Sequence, residues 1–326
     1  MAKQKQGSAS SRRAQVRQQR ESNTRTQLQS RGRRQQQSSK SGWWLVGGIV
    51  ILVAVIVGGF IFLAQREAEQ SKVGSDQALK TITSVSANVF SSVDKGTSTA
   101  PLTHVKNTPV LKGPDGKPEL FYMGGEYCPH CAAQRWVVIA ALSRFGKFSN
   151  LTPILSGEGQ VPTYSFHGSS YSSDYIHFEA KETADNDSTN PQKLDDLSAD
   201  DQKIVNQYAK QPYVQSAGIP FMSIGNQFIS TGAYYPETVL TGKSYQNISD
   251  EVVDSNSDLS RGIIGAANVL TAAICTTTNN QPANVCGASP IPNVQQGLPA
   301  PSVSTDSPVQ LARLNQPFEA DVRRRS

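Results

Sequence analysis

Residues 43–64 form an unbroken stretch of 22 residues without a charged side chain, with Trp43 at one end and Ala64 at the other. At 1.5 Å rise per residue a helix of that length covers about 33 Å, enough for a hydrocarbon core of about 30 Å. A cleaved secretory leader has a shorter apolar region and a small-x-small site, whereas Phe62 here precedes Leu63 and Ala64. The run therefore predicts one N-terminal transmembrane helix over 43–64, with Trp43 and Trp44 at the interface.

Charge sets the orientation. Residues 1–42 carry eleven Lys and Arg against one acid, which leaves 20 basic and 25 acidic residues for the rest of the chain. The basic flank belongs in the cytoplasm, and everything after Ala64 lies outside it, where cysteines can pair. The expected location is a cell membrane, single-pass, with the lipid bilayer as a partner. Because the positive charge is confined to a tail, no nucleic-acid partner is expected. Residues 1–42 are rich in Gln, Ser and Arg and read as a disordered tail, and 287–326, with six prolines, as a second one. Residues 65–104 read as a linker with an amphipathic helix over 76–93, and 105–286 as the extracytoplasmic domain.

Within that domain, strands are expected over 105–111 and 119–123, a helix over 129–145 and a buried strand over 151–155. Edge strands over 163–167 and 175–179 follow, then a helix over 198–210 with Ser198 as its N-cap. Strands over 221–224 and 227–230 flank Gly225-Asn226, a two-residue hairpin signal, and a last helix covers 258–274. This order predicts an α/β sandwich with a mixed sheet.

Cys128-Pro129-His130-Cys131 stands between a predicted strand and a predicted helix. Thiol–disulfide exchange needs an exposed, stabilised thiolate and a second thiol within reach. A first cysteine at a helix N-terminus sits over unpaired N–H groups and the positive end of the dipole, which lowers its pKa. Pro129 suits the first helical position, where its missing N–H costs nothing. Cys128 is then the attacking thiolate, Cys131 the resolving thiol, and His130 a tuning group, while Glu126 acts the other way if close. Trp136 reads as core. A CxxC can also be half of a metal site, completed by His104, His167 or His177.

The run Phe121-Tyr122-Met123-Gly124-Gly125-Glu126-Tyr127-Cys128-Pro129-His130-Cys131, continuing to Gly146, resembles a family of membrane-anchored, thioredoxin-like proteins of archaea and some bacteria, catalogued as a domain of unknown function. The tetrapeptide is also that of the DsbA disulfide oxidases. The resemblance implies a thioredoxin-like fold, with an insertion over 157–218 before the cis-proline and Ile219-Pro220 as that proline. Pro220 would then shape the site, with Ile219 and Tyr127 flanking a bound peptide. Tyr127 departs from thioredoxin proper, where a Trp usually precedes the first cysteine.

Cys275 and Cys286 read as a structural disulfide closing a polar loop, with a second redox pair as the alternative. Motifs of the type GxxxxGK[ST], HExxH and GxSxG are absent, and neither cofactor nor resident metal is expected. The leading expectation is a membrane-anchored thiol–disulfide oxidoreductase acting on cysteines of secreted or membrane proteins and recycled by a membrane or thiol redox partner. The alternatives are a copper- or zinc-handling assembly factor, or a non-catalytic anchored binding module.

Overall fold

The computed structural model describes the backbone from Lys40 to Ser304, with side chains at 49–50, 52–61 and 73–302. The chain divides into two compact units, 1–66 and 67–326. The expected basic tail lies outside the described residues up to position 39, as does 305–326.

Helix α1 (Lys40–Thr83) contains the whole uncharged run. The large apolar side chains described between Ile49 and Ile61 are exposed. The described part of the run, Leu52–Ile61, is apolar; among the described residues the helix long and apolar enough to cross a membrane is Asp258–Thr277, which is mostly buried, as a core helix is.

In the second unit the elements after α1 are α2 (Ala87–Val93), β1 (Thr103–Lys106), β2 (Glu119–Gly124), α3 (Pro129–Leu142), β3 (Gly146–Ser149), β4 (Thr152–Leu155), β5 (Pro162–Ser165), β6 (Ser170–Ser173) and β7 (His177–Glu182). They continue with α4 (Ala199–Tyr208), β8 (Phe221–Ile224), β9 (Phe228–Thr231), α5 (Tyr245–Glu251), α6 (Asp258–Thr277), α7 (Ala283–Cys286), α8 (Ile291–Gln296) and β10 (Val303–Ser304).

The central sheet is mixed and six-stranded, in the order β10-β1-β9-β8-β2-β7. β2 lies parallel to β7 and antiparallel to β8. Alternation along β2 explains why its sequence is apolar throughout: Leu120 and Tyr122 enter the larger core, Phe121 and Met123 the smaller one on the other face. Helices α3 and α6 pack together within the larger core, and Ile204 and Tyr208 of α4 lie in the smaller. The result is the expected α/β sandwich with a mixed sheet. Ser198 caps α4 in a reciprocal capping box with Asp201. Gly225 and Asn226 both take positive φ, +59° and +58°, as the β8–β9 turn requires.

Four expectations are corrected. First, the amphipathic stretch over 76–93 packs into the domain rather than standing before it, because Ala78, Ile82, Phe90 and Val93 are buried in the larger core. The single helix expected over 76–93 is broken: the hydroxyls of Thr83 and Ser84 donate back to Leu79 O and Lys80 O, and Ser86 caps a new helix. Second, the tail expected from 287 is folded as far as Ser304. Ile291 and Val294 are buried against the core, and β10 pairs with β1. Two apolar residues three positions apart are too short a signal to read as a periodic helix. Third, β4 is largely exposed rather than buried, and it pairs with β5 in a separate two-stranded sheet, so the strand expected over 163–167 does not edge the central sheet as 175–179 does. Fourth, 157–218 is not one insertion before Pro220, because β7 of the central sheet runs through it.

Candidate active site

Cys128 is the N-cap of α3, and its Sγ accepts a hydrogen bond from Cys131 N at 3.4 Å. Pro129 begins the helix as expected. The sulfur is therefore the capping acceptor for an N–H that would otherwise be orphaned. The Cys128 pKa falls to about 6. The largest cause is a hydrogen bond from the Cys131 thiol; burial opposes it, and the backbone N–H groups of Cys131 and His130 and the His130 ring assist. Burial pushes the Cys131 thiol well up. One proton shared between two sulfurs thus settles on the inner one.

Cys128 is 7% exposed and Cys131 0%. Cys128 is more covered than the expectation of an exposed thiolate, because it packs in the strand-to-helix corner as a cap. The pair still opens to solvent on the Cys128 side alone.

Beneath Cys131, one helical turn on, Arg135 is fully buried with Glu182 of β7. Its Nε donates to Glu182 Oε1 and one Nη2 to Oε2, both at 2.7 Å, and Nη2 also donates to Gly125 O at 2.8 Å. That last bond ties the turn before Cys128 to the helix. Glu182 pairs in register with Gly124, which supplies no Cβ; a Cβ there would lie 2.3 Å from the Tyr122 hydroxyl. Nothing in the local sequence marks Glu182 or Tyr122. Their place comes from strand pairing, and the sequence signal for the pair is the one arginine in a mostly apolar helix. Glu126 turns its carboxylate to the Ser165 hydroxyl, and burial raises its pKa.

The remaining expected residues gather on the open side. His130 Nδ1 is 3.0 Å from Glu237 Oε2, at the exposed edge of the helix start. Tyr127 and Ile219 converge over Gly125, where an added Cβ would meet Tyr127 at 2.8 Å and Ile219 at 3.4 Å. The Ile219–Pro220 bond is cis. In the β2–β8 register Met123 lies opposite Phe221, so buried Pro220, the residue before Phe221, falls at the Gly124 end of β2. Cys128, Cys131, His130, Tyr127, Ile219 and Pro220 are thus brought to one end of β2. Trp136 is core, its Nε1 donating to Pro162 O at 2.8 Å.

The histidines considered for a metal site lie apart from the thiols. His104 bonds Pro299 O, His167 pairs with Asp195, and His177 lies between Asp115 and Glu179. Among the described residues no group of three or more His, Cys, Asp or Glu side chains is placed to hold a metal ion. Cys275 and Cys286 form a disulfide, 0% and 3% exposed, which suits the structural reading over the redox one.

Fold and site together define an α/β domain on a mixed sheet, with a CxxC dithiol opening a helix at the end of a central strand. Residues 102–276 match the family described as a domain of unknown function, DUF929, and the chain belongs to that family. No curated protein and no solved structure matches it.

Proposed function

We propose that this chain is a membrane-anchored, extracytoplasmic thiol–disulfide oxidoreductase of thioredoxin-like fold, acting on cysteines of secreted or membrane proteins. The observation that carries the reading is the division of labour between the sulfurs: Cys128 caps α3 with a pKa of about 6, while Cys131 is held neutral and buried one turn in. At neutral pH the outer sulfur is a thiolate, and its mate waits as a thiol.

The Cys128 thiolate attacks a substrate disulfide, forms a mixed disulfide and expels the substrate's other sulfur as a thiolate. Cys131 then loses its proton and bonds to Cys128 Sγ, breaking the bond to substrate. The departing sulfurs take up protons. The pair is oxidised by two electrons and the substrate reduced by two, and the reverse sequence donates the disulfide. Stabilising the thiolate stabilises the reduced pair, so the disulfide form is of the more oxidising sort. A membrane or thiol redox partner recycles it.

Topology supports the thioredoxin-like reading. β2, α3 and the parallel strand β7 form a β-α-β unit; the β8–β9 hairpin follows Pro220, and α6 closes the fold. The anchor is supported by the exposed apolar side chains of α1, for which a bilayer is the favourable solvent. The test is insulin reduction or oxidative refolding by the chain compared with Cys128→Ser. Equal activity in the two ends the proposal.

A further inference from the structure

A fully buried ion pair is expensive to keep, and replacing one with apolar residues is often neutral or stabilising. Arg135–Glu182 is such a pair, 0% exposed on both sides. Nε and Nη2 carry three of the five guanidinium N–H donors, and all three are bonded, whereas Nη1 has no protein partner among the described residues. The Tyr122 hydroxyl, also buried, has none either. Two of the three such atoms among the described residues therefore lie in one cluster.

Their placement is set by the backbone. Arg135 follows Cys131 by four residues on α3, so the two side chains share a face. Tyr122 lies two residues before Gly124 on β2, facing the same core, and its hydroxyl fills the space that a Gly124 Cβ would need. Gly124 pairs with Glu182, which holds Arg135. Tyr122, Cys131, Arg135 and Glu182 also interact electrostatically with one another.

We infer that Tyr122 and Arg135 are positioning residues for the resolving step, holding an N–H and an O–H in reserve for the negative charge that forms on Cys131 when it attacks the mixed disulfide. This rests on the oxidoreductase reading. Cys131 must ionise where burial disfavours it, and a preorganised cation and hydroxyl in a dry site stabilise that charge without reorganisation. Glu182 fixes the guanidinium through Nε and Nη2, leaving Nη1 buried and unbonded, and it keeps the resting site near neutrality. The step itself is balanced as above: the Cys131 proton leaves with the expelled substrate sulfur.

The experiment forms the mixed disulfide between Cys128 and a cysteine-containing peptide, then follows peptide release against pH. It uses the full chain in detergent or nanodiscs, as wild type, Tyr122→Phe, Arg135→Lys, and the double variant Arg135→Met with Glu182→Met. A purely structural role predicts that Tyr122→Phe and the double variant, once folded, release peptide as wild type does. The inference predicts release at least tenfold slower at pH 7 in both, a rate inflection moved up by at least one pH unit, and partial rescue in Arg135→Lys. Unchanged release in folded Tyr122→Phe overturns it. If wild type forms no mixed disulfide at all, the oxidoreductase reading fails instead.

Discussion

Cys131→Ala removes the group that does most to hold the Cys128 thiolate. Its thiol hydrogen bond is the largest cause of the lowered pKa, ahead of the backbone N–H groups that survive the substitution. A hydrogen bond to a charged acceptor contributes about 1.5–3 kcal/mol, and one pH unit is about 1.4 kcal/mol. The Cys128 pKa should therefore rise from about 6 by roughly one to two units. At pH 7 a thiol of pKa about 6 is about 90% ionised, and one near 7.5 about 25%. The rate of alkylation by iodoacetamide at pH 7 should fall about fourfold. The assay is the pH dependence of that rate, with modification of Cys128 confirmed by mass mapping. A wild-type inflection near the ordinary thiol value of about 8.5 would refute the account of the thiolate, and an inflection unmoved by Cys131→Ala would refute the assigned cause. The sign carries over to stability. Because the folded pKa is depressed, the reduced protein gains stability that is complete above the unfolded value and lost as pH falls through about 6. The gain is on the order of 3 kcal/mol, read as a drop in the denaturation midpoint of the reduced protein between pH 9 and pH 5 that Cys128→Ser lacks.

Three further outcomes are expected. Replacing Cys275 and Cys286 together by Ser should cost about 3 kcal/mol in chemical denaturation without changing Cys128 alkylation, since the bridge closes a loop of sequence separation 11 away from the thiol pair; a loss of dithiol reactivity would contradict the structural assignment. Truncation after Gly287 should lower stability by roughly 3–5 kcal/mol, because Ile291 and Val294 leave the core; an unchanged denaturant midpoint would restore the reading of 287–304 as a free tail. Asn268→Ala should cost about 2 kcal/mol, since the buried amide donates to Phe90 O at 2.9 Å and Asp94 O at 2.7 Å, and its loss leaves Asp94 O without that donor and Phe90 O with Asp94 N alone; a change under 0.5 kcal/mol would show that water replaces it at no cost.

The local chemistry of the dithiol was legible in the chain itself. Cys128 through Cys131, between an apolar strand and a Pro-led helix, specifies a cap whose acceptor is sulfur, and the Gly225-Asn226 turn specifies its hairpin. Such features depend on residues within a few positions of one another, so short-range rules reach them. The helix break at Ser84–Ser86 was hidden because its apolar spacing continues across the break while the hydroxyls bond backward.

Pairing across the sheet was beyond such rules. Glu182 meets Arg135 across 47 positions of sequence only because β7 lies parallel to β2 in one register, and a slip of one residue would turn the carboxylate to the opposite face. The fate of 291–304 was decided the same way, by what the rest of the fold left uncovered: an edge at β1 and an apolar face on α6. The amino-acid order determined where the dithiol helix and the β8–β9 turn begin, which thiol caps a helix, and where the uncharged run lies, because those follow from neighbours along the backbone. Which buried charges stand beneath Cys131, and how far the domain extends, were settled by burial between distant segments, whose free energy exists only once the sheet is assembled.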